Sequence, residues 1–138
     1  MEQIKEVISV CVSVICTSFI FLFGKLDIGL KCLLCAIIID YITGIFKAYY
    51  NKELSSEIGF KGAIKKFAML FIVVLSVQAD RLMGDSGMIR NLVIYYLFAN
   101  EGLSILENLG KCGVPIPESL KNRLKQLKED NKDTKEGE

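Results

Sequence analysis

The sequence predicts an all-α integral membrane protein. The chain has 138 residues, 51% of them hydrophobic, and its mean hydropathy is +0.39, which is high for a soluble domain of this length. Its long apolar segments hold few charges and are separated by polar or glycine-containing segments. Because a bilayer core about 30 Å thick needs roughly 20 apolar residues in a helix, we predict four transmembrane helices, with three as the alternative, and a C-terminal amphipathic helix.

These segments divide the chain into three parts. A transmembrane domain occupies residues 1–113, with spans at about residues 7–23, 28–50, 62–83 and 88–109. An amphipathic juxtamembrane helix follows at residues 114–128, and residues 129–138 form a charged tail that we predict to be disordered.

The first span carries no charge and is long enough to cross the bilayer with little tilt. A signal peptide would need a basic start and a cleavage site of small residues, and this segment has neither, so we expect it to be retained. Ser9, Ser13 and Thr17 recur at every fourth position, a spacing that lets two helix backbones approach closely.

The second span has a carboxylate, Asp40, near its middle. It belongs to a stripe of otherwise small residues with i+4 spacing, which we predict to be a helix-packing face; its other members are Cys32, Ala36, Gly44 and Ala48. A carboxylate at this depth costs about 2.5–3.5 kcal/mol on the translocon-insertion scale. We therefore expect Asp40 to be paired, protonated or facing water.

The third span is the least apolar. Residues 51–66 predict a basic connecting loop, broken by Gly59 and Gly62, with Ser55 or Ser56 as N-cap of the next helix. The apolar residues that follow reach spanning length only if their ends lie in the interface. Asp80, a second intramembrane carboxylate, is followed by Arg81, and we expect these neighbours to neutralise each other.

The fourth span begins as an apolar helix and ends with a polar stripe. Asn100, Ser104 and Glu107 share one face, with Glu101 and Asn108 on its flank. Lipid does not satisfy such groups, so the stripe needs a partner or water. We predict that it lines a pore; a soluble amphipathic helix with a solvated edge is the alternative for this segment alone.

The C-terminal amphipathic helix combines leucines at positions 120, 124 and 127 with basic residues. We predict that these bind an anionic lipid surface, with partner docking or a frayed helix as alternatives; they are Lys121, Arg123, Lys125 and Lys128. Lysine and arginine are most frequent in the second connection and in the C-terminal part, so the positive-inside rule places both termini in the cytoplasm.

Catalysis is not predicted. The chain has no histidine, no nucleophile elbow and no phosphate-binding glycine loop. Its five cysteines are an odd number, four of them lie in apolar segments, and we interpret them as packing residues. We therefore expect no cofactor, no metal and no nucleic-acid partner.

Four short segments together resemble a known family. They are residues 40–44 (DYITG), 62–66 (GAIKK), 100–108 (NEGLSILEN) and 113–117 (GVPIP). In this order and spacing they are similar to the phage lysis and toxin-secretion holins of Gram-positive phages and clostridial toxin loci, over roughly residues 28–128. The resemblance implies a protein that oligomerises in the bacterial cytoplasmic membrane and opens lesions through which an endolysin or a large toxin leaves.

Two other functions are compatible with the residues. A small ion channel or transporter subunit would bind a cation at Asp40 or Glu101, and would release ions but no folded protein. A membrane anchor that recruits a partner through the C-terminal helix would cause no permeability. The sequence does not separate phage lysis from toxin secretion.

Overall fold

The structure is a computed structural model that describes the backbone of residues 1–133 and the side chains of residues 1–129. This part of the chain forms five helices and no strand, which confirms the predicted all-α fold. The helices are α1 (Glu2–Phe23), α2 (Ile28–Tyr50), α3 (Ser56–Leu82), α4 (Met88–Lys111) and α5 (Glu118–Asp133). Helix α5 continues five residues into the segment predicted to be a disordered tail; residues 134–138 lie outside the described residues.

Short polar side chains begin three of the helices. The carboxylate of Asp27 accepts a hydrogen bond from the Leu30 amide at 3.0 Å and caps α2, and the Ser55 hydroxyl accepts one from the Ile58 amide at 3.2 Å and caps α3. The first turn of α4 is capped from α3, because Asp80 accepts from the amides of Ile89 at 3.0 Å and Arg90 at 2.7 Å. This cap fixes the turn between α3 and α4.

The connection between α2 and α3 is shorter than predicted. We expected a loop over residues 51–66, but α3 begins at Ser56 and contains both glycines that were interpreted as breakers. A side chain at either glycine would point at the ring of Tyr41 on α2: a Cβ at Gly59 would lie 3.6 Å from the Tyr41 hydroxyl, and one at Gly62 3.8 Å from a ring carbon. Both distances are ordinary van der Waals contacts, so these glycines lie on the side of α3 next to α2, and α3 continues through them despite their low helix propensity.

Helix α4 is central and packs against α2, α3 and α5. It runs parallel to α2, since a Cβ at Gly29 would lie 3.4 Å from Ile94 near the start of both helices and one at Gly44 would lie 3.8 Å from Asn108 near their ends. Helix α3 runs antiparallel to both. Helix α1 contacts α3 through its C-terminal turns, where Gln78 donates to the Phe21 carbonyl at 3.4 Å and Arg81 lies 4.4 Å from the Phe21 ring centroid.

The core between α2, α3 and α4 has an apolar half and a polar half. Near the start of α2 and α4 it is a hydrophobic cluster, whose buried members are Leu30, Leu33, Ile37, Met69, Val73, Ile94 and Leu97. The same helix faces continue into Asp40 on α2 and into Glu101 and Asn108 on α4, all of them buried. The spacing of three and four residues that buries the apolar side chains thus buries the polar ones as well.

Two of the five helices, α1 and α2, are long and apolar enough to cross a membrane by length and composition. This supports two of the predicted spans. The residues that make α3 and α4 less apolar include Lys66, Asp80, Arg90 and Glu101, and these side chains lie mostly inside the bundle. Four spans therefore remain a prediction.

An ion pair joins the first connection to the start of α4. The buried guanidinium of Arg90 donates to the Asp27 carboxylate at 2.7 Å and to the carbonyls of Phe23 at 2.8 Å and Lys25 at 2.7 Å. The hydrogen bond from Arg90 holds the pKa of Asp27 below its ordinary value. Arg90 thereby fastens the end of α1 and the start of α2 to α4.

This ion pair predicts a pH-dependent stability. Because the pKa of Asp27 is lower in the folded state, the stabilisation is fully present above the ordinary carboxylate pKa of about 4, and is lost as the pH falls through the lowered value. Asn at position 27 keeps the helix cap but not the charge, so Asp27→Asn should reduce the acid sensitivity of unfolding in detergent. Asp85→Asn, in the exposed turn before α4, should leave the pH profile unchanged; an equal change in both variants would contradict the assignment.

Candidate functional site

A buried ion network connects the three core helices in their polar half. The ammonium of Lys66 on α3 lies 2.5 Å from the Asp40 carboxylate of α2 and also bonds the Glu101 carboxylate of α4. The Lys66 side chain is 14% exposed and that of Glu101 is 1% exposed, so water screens this contact little. One lysine thus holds two helices through their carboxylates.

Polar side chains complete the network. The Asn108 amide donates to Asp40 at 3.1 Å and to the Thr43 hydroxyl at 3.3 Å, and that hydroxyl donates to the Asp40 main-chain carbonyl at 3.1 Å. Among the described side chains, every buried nitrogen and oxygen has a hydrogen-bond partner. This satisfaction is what makes a buried polar cluster tolerable, since each unpaired group would cost its full desolvation energy.

The network, here defined as Asp40, Thr43, Lys66, Glu101 and Asn108, combines two carboxylates with one ammonium. With all three groups ionised, it carries one uncompensated negative charge. An uncompensated charge is most costly in a low-dielectric core, so the network favours any state that brings water, a proton or another cation to it. Its stability is therefore sensitive to how the helices are surrounded.

A cavity of about 340 Å³ opens between α2 and α3 and reaches the network. Asp40 and Lys66 lie at its inner end, and small residues on both helices form much of its wall: Gly44, Ala48, Gly59 and Gly62. Because these side chains are small, the two helices leave a gap. Water entering the gap would meet the Asp40–Lys66 pair directly.

The stripe predicted on α4 is divided among three environments. Glu101 and Asn108 are buried in the network, and Asn100 accepts a hydrogen bond from Lys128 of α5 at 2.9 Å. Ser104 is half-buried and Glu107 is exposed. The structure brings Asp40, Glu101 and Asn108 together but leaves Glu107 outside the network.

The other predicted intramembrane carboxylate has a different position. Asp80 is 2% exposed and caps α4, as described above, at the opposite end of the core from Asp40. The expected pairing with Arg81 is absent from the described contacts of Asp80; the Arg81 guanidinium instead bonds Gln78 at 3.2 Å and lies over Phe21. Asp80 therefore caps the N-terminus of α4.

The predicted packing faces differ in how much of them is covered. On α2, Ala36, Asp40 and Ala48 are buried and Gly44 is half-buried, whereas Cys32 is exposed. On α1, Ser9, Ser13 and Thr17 are all exposed, and the Ser13 hydroxyl donates to the Ser9 carbonyl at 2.8 Å. Most of the α2 face is packed within the subunit, whereas the α1 face is exposed.

The basic residues of α5 lie on two sides of that helix. Arg123 and Lys125 are exposed, whereas Lys121 and Lys128 are half-buried. The Lys128 ammonium lies 5.6 Å from the centroid of the Tyr96 ring, in addition to its bond to Asn100.

Three partners in these contacts were missed from the sequence: Lys66, Thr43 and Arg90. Lys66 was placed in the connecting loop, although it occupies the buried face of α3 with Met69, Val73, Ser76 and Asp80. Those positions recur at three and four residues, and extending the series backwards gives 66 and not 65. This spacing, with the need of Asp40 for a cation, was the signal that could have identified Lys66.

The described residues form an all-helical fold in which two helices are long and apolar enough to cross a membrane, and comparison with known proteins identifies the family. Residues 17–129 match the bacteriophage holin family. The chain is 46% identical over 129 residues to an uncharacterised 14.9 kDa protein in the nagH 3' region of Clostridium perfringens, covering 92% of this chain and 97% of the relative. It is 37% identical over 111 residues to a probable holin of Bacillus phage phi105, covering 80% and 82%.

The chain belongs to the bacteriophage holin family. This confirms the resemblance found in the sequence. Family membership implies a protein of the cytoplasmic membrane and indicates a non-enzymatic role. No solved structure matches the chain.

The network predicts a sharp difference between two adjacent lysines. Lys66→Met leaves two buried carboxylates without their cation and should destabilise the folded protein by about 3 kcal/mol or more. Lys65→Met removes an exposed charge and should change stability by less than about 0.5 kcal/mol. Unfolding by SDS in mixed micelles, followed by loss of helical circular dichroism, measures both; equal effects would show that Lys66 does not hold the core.

Proposed function

We propose that this protein is a holin that oligomerises in the cytoplasmic membrane and forms lesions through which an endolysin or a large toxin leaves the cell. Family membership is the observation that carries the proposal, since one relative is a probable phage holin. The geometry adds a reason for assembly: the network is polar, carries an excess carboxylate and lies next to a cavity between α2 and α3. A protein that exposes such groups only when it assembles can remain intact in lipid beforehand.

We further propose four membrane spans. Helices α3 and α4 pack beside α2, which is itself long and apolar enough to cross, and several of their charged side chains point into the bundle. The outer surface of α3 carries large apolar residues suited to lipid, including Phe67, Phe71, Ile72 and Leu75. Together with the lysine distribution, this supports a multi-pass protein with both termini in the cytoplasm.

Cysteine labelling tests this topology. In a variant without the native five cysteines, Asp85→Cys should react with a membrane-impermeant maleimide in intact cells, because it lies in the turn between α3 and α4. Glu129→Cys on α5 should react only after permeabilisation. Labelling of Glu129→Cys from outside would contradict the four-span arrangement.

Self-association is the proposed route to the lesion. The exposed Ser9, Ser13 and Thr17 face of α1 has the small-residue spacing that transmembrane helices use to pair. Ser104 and Glu107 lie outside the network on α4 and are the stripe residues best placed to meet water between subunits. We propose that these positions, with Asn100 once it is uncovered, line the opening.

The alternative of a cation channel has less support from the geometry. Its proposed binding groups, Asp40 and Glu101, are both occupied by the Lys66 ammonium, which stands where a transported cation would bind. The size of the leak separates the two functions. A holin releases folded proteins, whereas a channel that uses these carboxylates passes ions alone.

Substitution of the stripe tests the proposed lining. Ser104→Leu with Glu107→Leu should preserve membrane insertion, because apolar residues favour it, and should reduce release of a co-expressed cell-wall hydrolase. As a control, Leu103→Ile on the same helix should alter neither. Normal abundance with normal release in the double variant would contradict a lining role for these positions.

The network should also influence assembly. Asp40→Leu removes the carboxylate that bonds both Lys66 and Asn108, so it should shift the onset of release more than Asp85→Leu, which changes an exposed turn. Time courses of cell lysis at matched membrane abundance measure the difference. Identical onset in both variants would show that Asp40 has no part in opening.

A further inference from the structure

Helix α5 folds back along α4 in the direction opposite to it. A Cβ at Gly102 of α4 would lie 3.0 Å from a methyl carbon of Leu124, so α5 approaches the α4 backbone closely at this glycine. Farther along, Lys128 bonds Asn100 and lies over Tyr96. Leu127 shares a cavity of about 320 Å³ with residues of α4 and with Ile28, Gly29 and Cys32 in the first turns of α2.

These contacts place α5 along α4, at the same level as most of the length of α2. The turn that joins α4 to α5 lies at the C-terminal end of α4, level with the end of α2, whereas Leu127 lies level with the start of α2. The outer face of α5 is polar: Asn122, Arg123, Lys125, Gln126 and Glu129 are exposed. If α2 and α4 cross the bilayer as proposed above, this face lies at the depth of the hydrocarbon.

The hydrocarbon of a bilayer does not solvate the polar outer face of α5. Each charged side chain held near the centre of a bilayer disfavours insertion by roughly 100-fold, and the outer face described above holds three: Arg123, Lys125 and Glu129. Packing of α5 on α4 and enclosure of α4 by lipid therefore exclude each other. In a membrane, only one of these two arrangements of α4 can form.

We propose that α5 is a removable cover of α4, a regulatory element that rests on the four-span arrangement of the proposed function. It packs on α4 while its outer face can reach water, and it leaves when lipid encloses α4. Its departure uncovers Tyr96, Asn100 and Gly102, and α5 then lies on the cytoplasmic membrane surface. The four basic residues predicted to bind anionic lipid suit that second position: Lys121, Arg123, Lys125 and Lys128.

A disulfide tests the cover directly. In the cysteine-free background, Gly102→Cys is combined with Leu124→Cys, which places two thiols at a spacing close to that of a disulfide. Cysteine is smaller than leucine, so the substitution at position 124 leaves room for the new side chain at position 102. The matched control is Gly102→Cys with Leu120→Cys, because Leu120 lies about one turn earlier on α5 and is exposed. The full-length chain is made in mild detergent micelles or in vesicles of phosphatidylglycerol and phosphatidylethanolamine, and disulfide yield is measured after mild oxidation.

The 102–124 pair should oxidise readily in micelles and at least about tenfold less in vesicles, whereas the 102–120 pair should oxidise poorly in both. A high yield for the 102–124 pair in vesicles, or a low yield in micelles, would overturn the proposal.

The same pair separates this inference from the proposed function. In cells, where lipid encloses α4, the 102–124 pair should form as little disulfide under mild oxidation as it does in vesicles. A high disulfide yield for this pair in cells would overturn the cover. If the wild-type chain releases no protein at all, the holin proposal fails, while the disulfide yields in micelles and vesicles still decide the position of α5.

Discussion

The contact of Lys66 with two buried carboxylates is the constraint on which the rest of the structure depends. It joins α2, α3 and α4 at one level, and the helix lengths, caps and small-residue gaps are consistent with that junction. Hydrophobic packing fills the opposite half of the core, from Leu30 to Ile37 on α2 and around Ile94 on α4, and the Arg90–Asp27 pair closes that end. In lipid, apolar helix surfaces gain little by packing against each other, because the lipid tails are equally apolar. Polar contacts such as these therefore stabilise the association of specific helices.

The division of the core into an apolar and a polar half suits the proposed function, in which the protein is first stable in a membrane and later forms a lesion. Buried ion pairs contribute little net stability, because desolvation offsets most of their attraction, but they are strongly disruptive once one partner is lost. Because the network has more carboxylates than cations, we expect the helices to separate there first. Water reaching it through the gap between α2 and α3 would reduce the cost of separating the helices.

Much of this fold followed from the sequence. The apolar segments gave α1 and α2, and the polar residues near the end of α4 were recognised as needing a partner or water. Asp40 was expected to be paired, protonated or facing water. In the structure it pairs with Lys66, which was not identified as its partner because it follows Lys65 in a polar segment that resembled a loop. Glycines at 59 and 62 reinforced that error, because their low helix propensity predicted a break where α3 continues. The position of α5 depended on a contact between Leu124 and Gly102 that no local pattern encodes.

A double-mutant cycle between positions 40 and 66 tests the central claim most directly. Unfolding free energies in detergent are measured for the wild type, Asp40→Leu, Lys66→Met and the combined variant. If the two side chains hold α2 to α3, the combined variant should be more stable than the sum of the single effects allows, with a coupling of about 1–3 kcal/mol. Additive effects, within about 0.5 kcal/mol, would contradict a core organised by this ion pair.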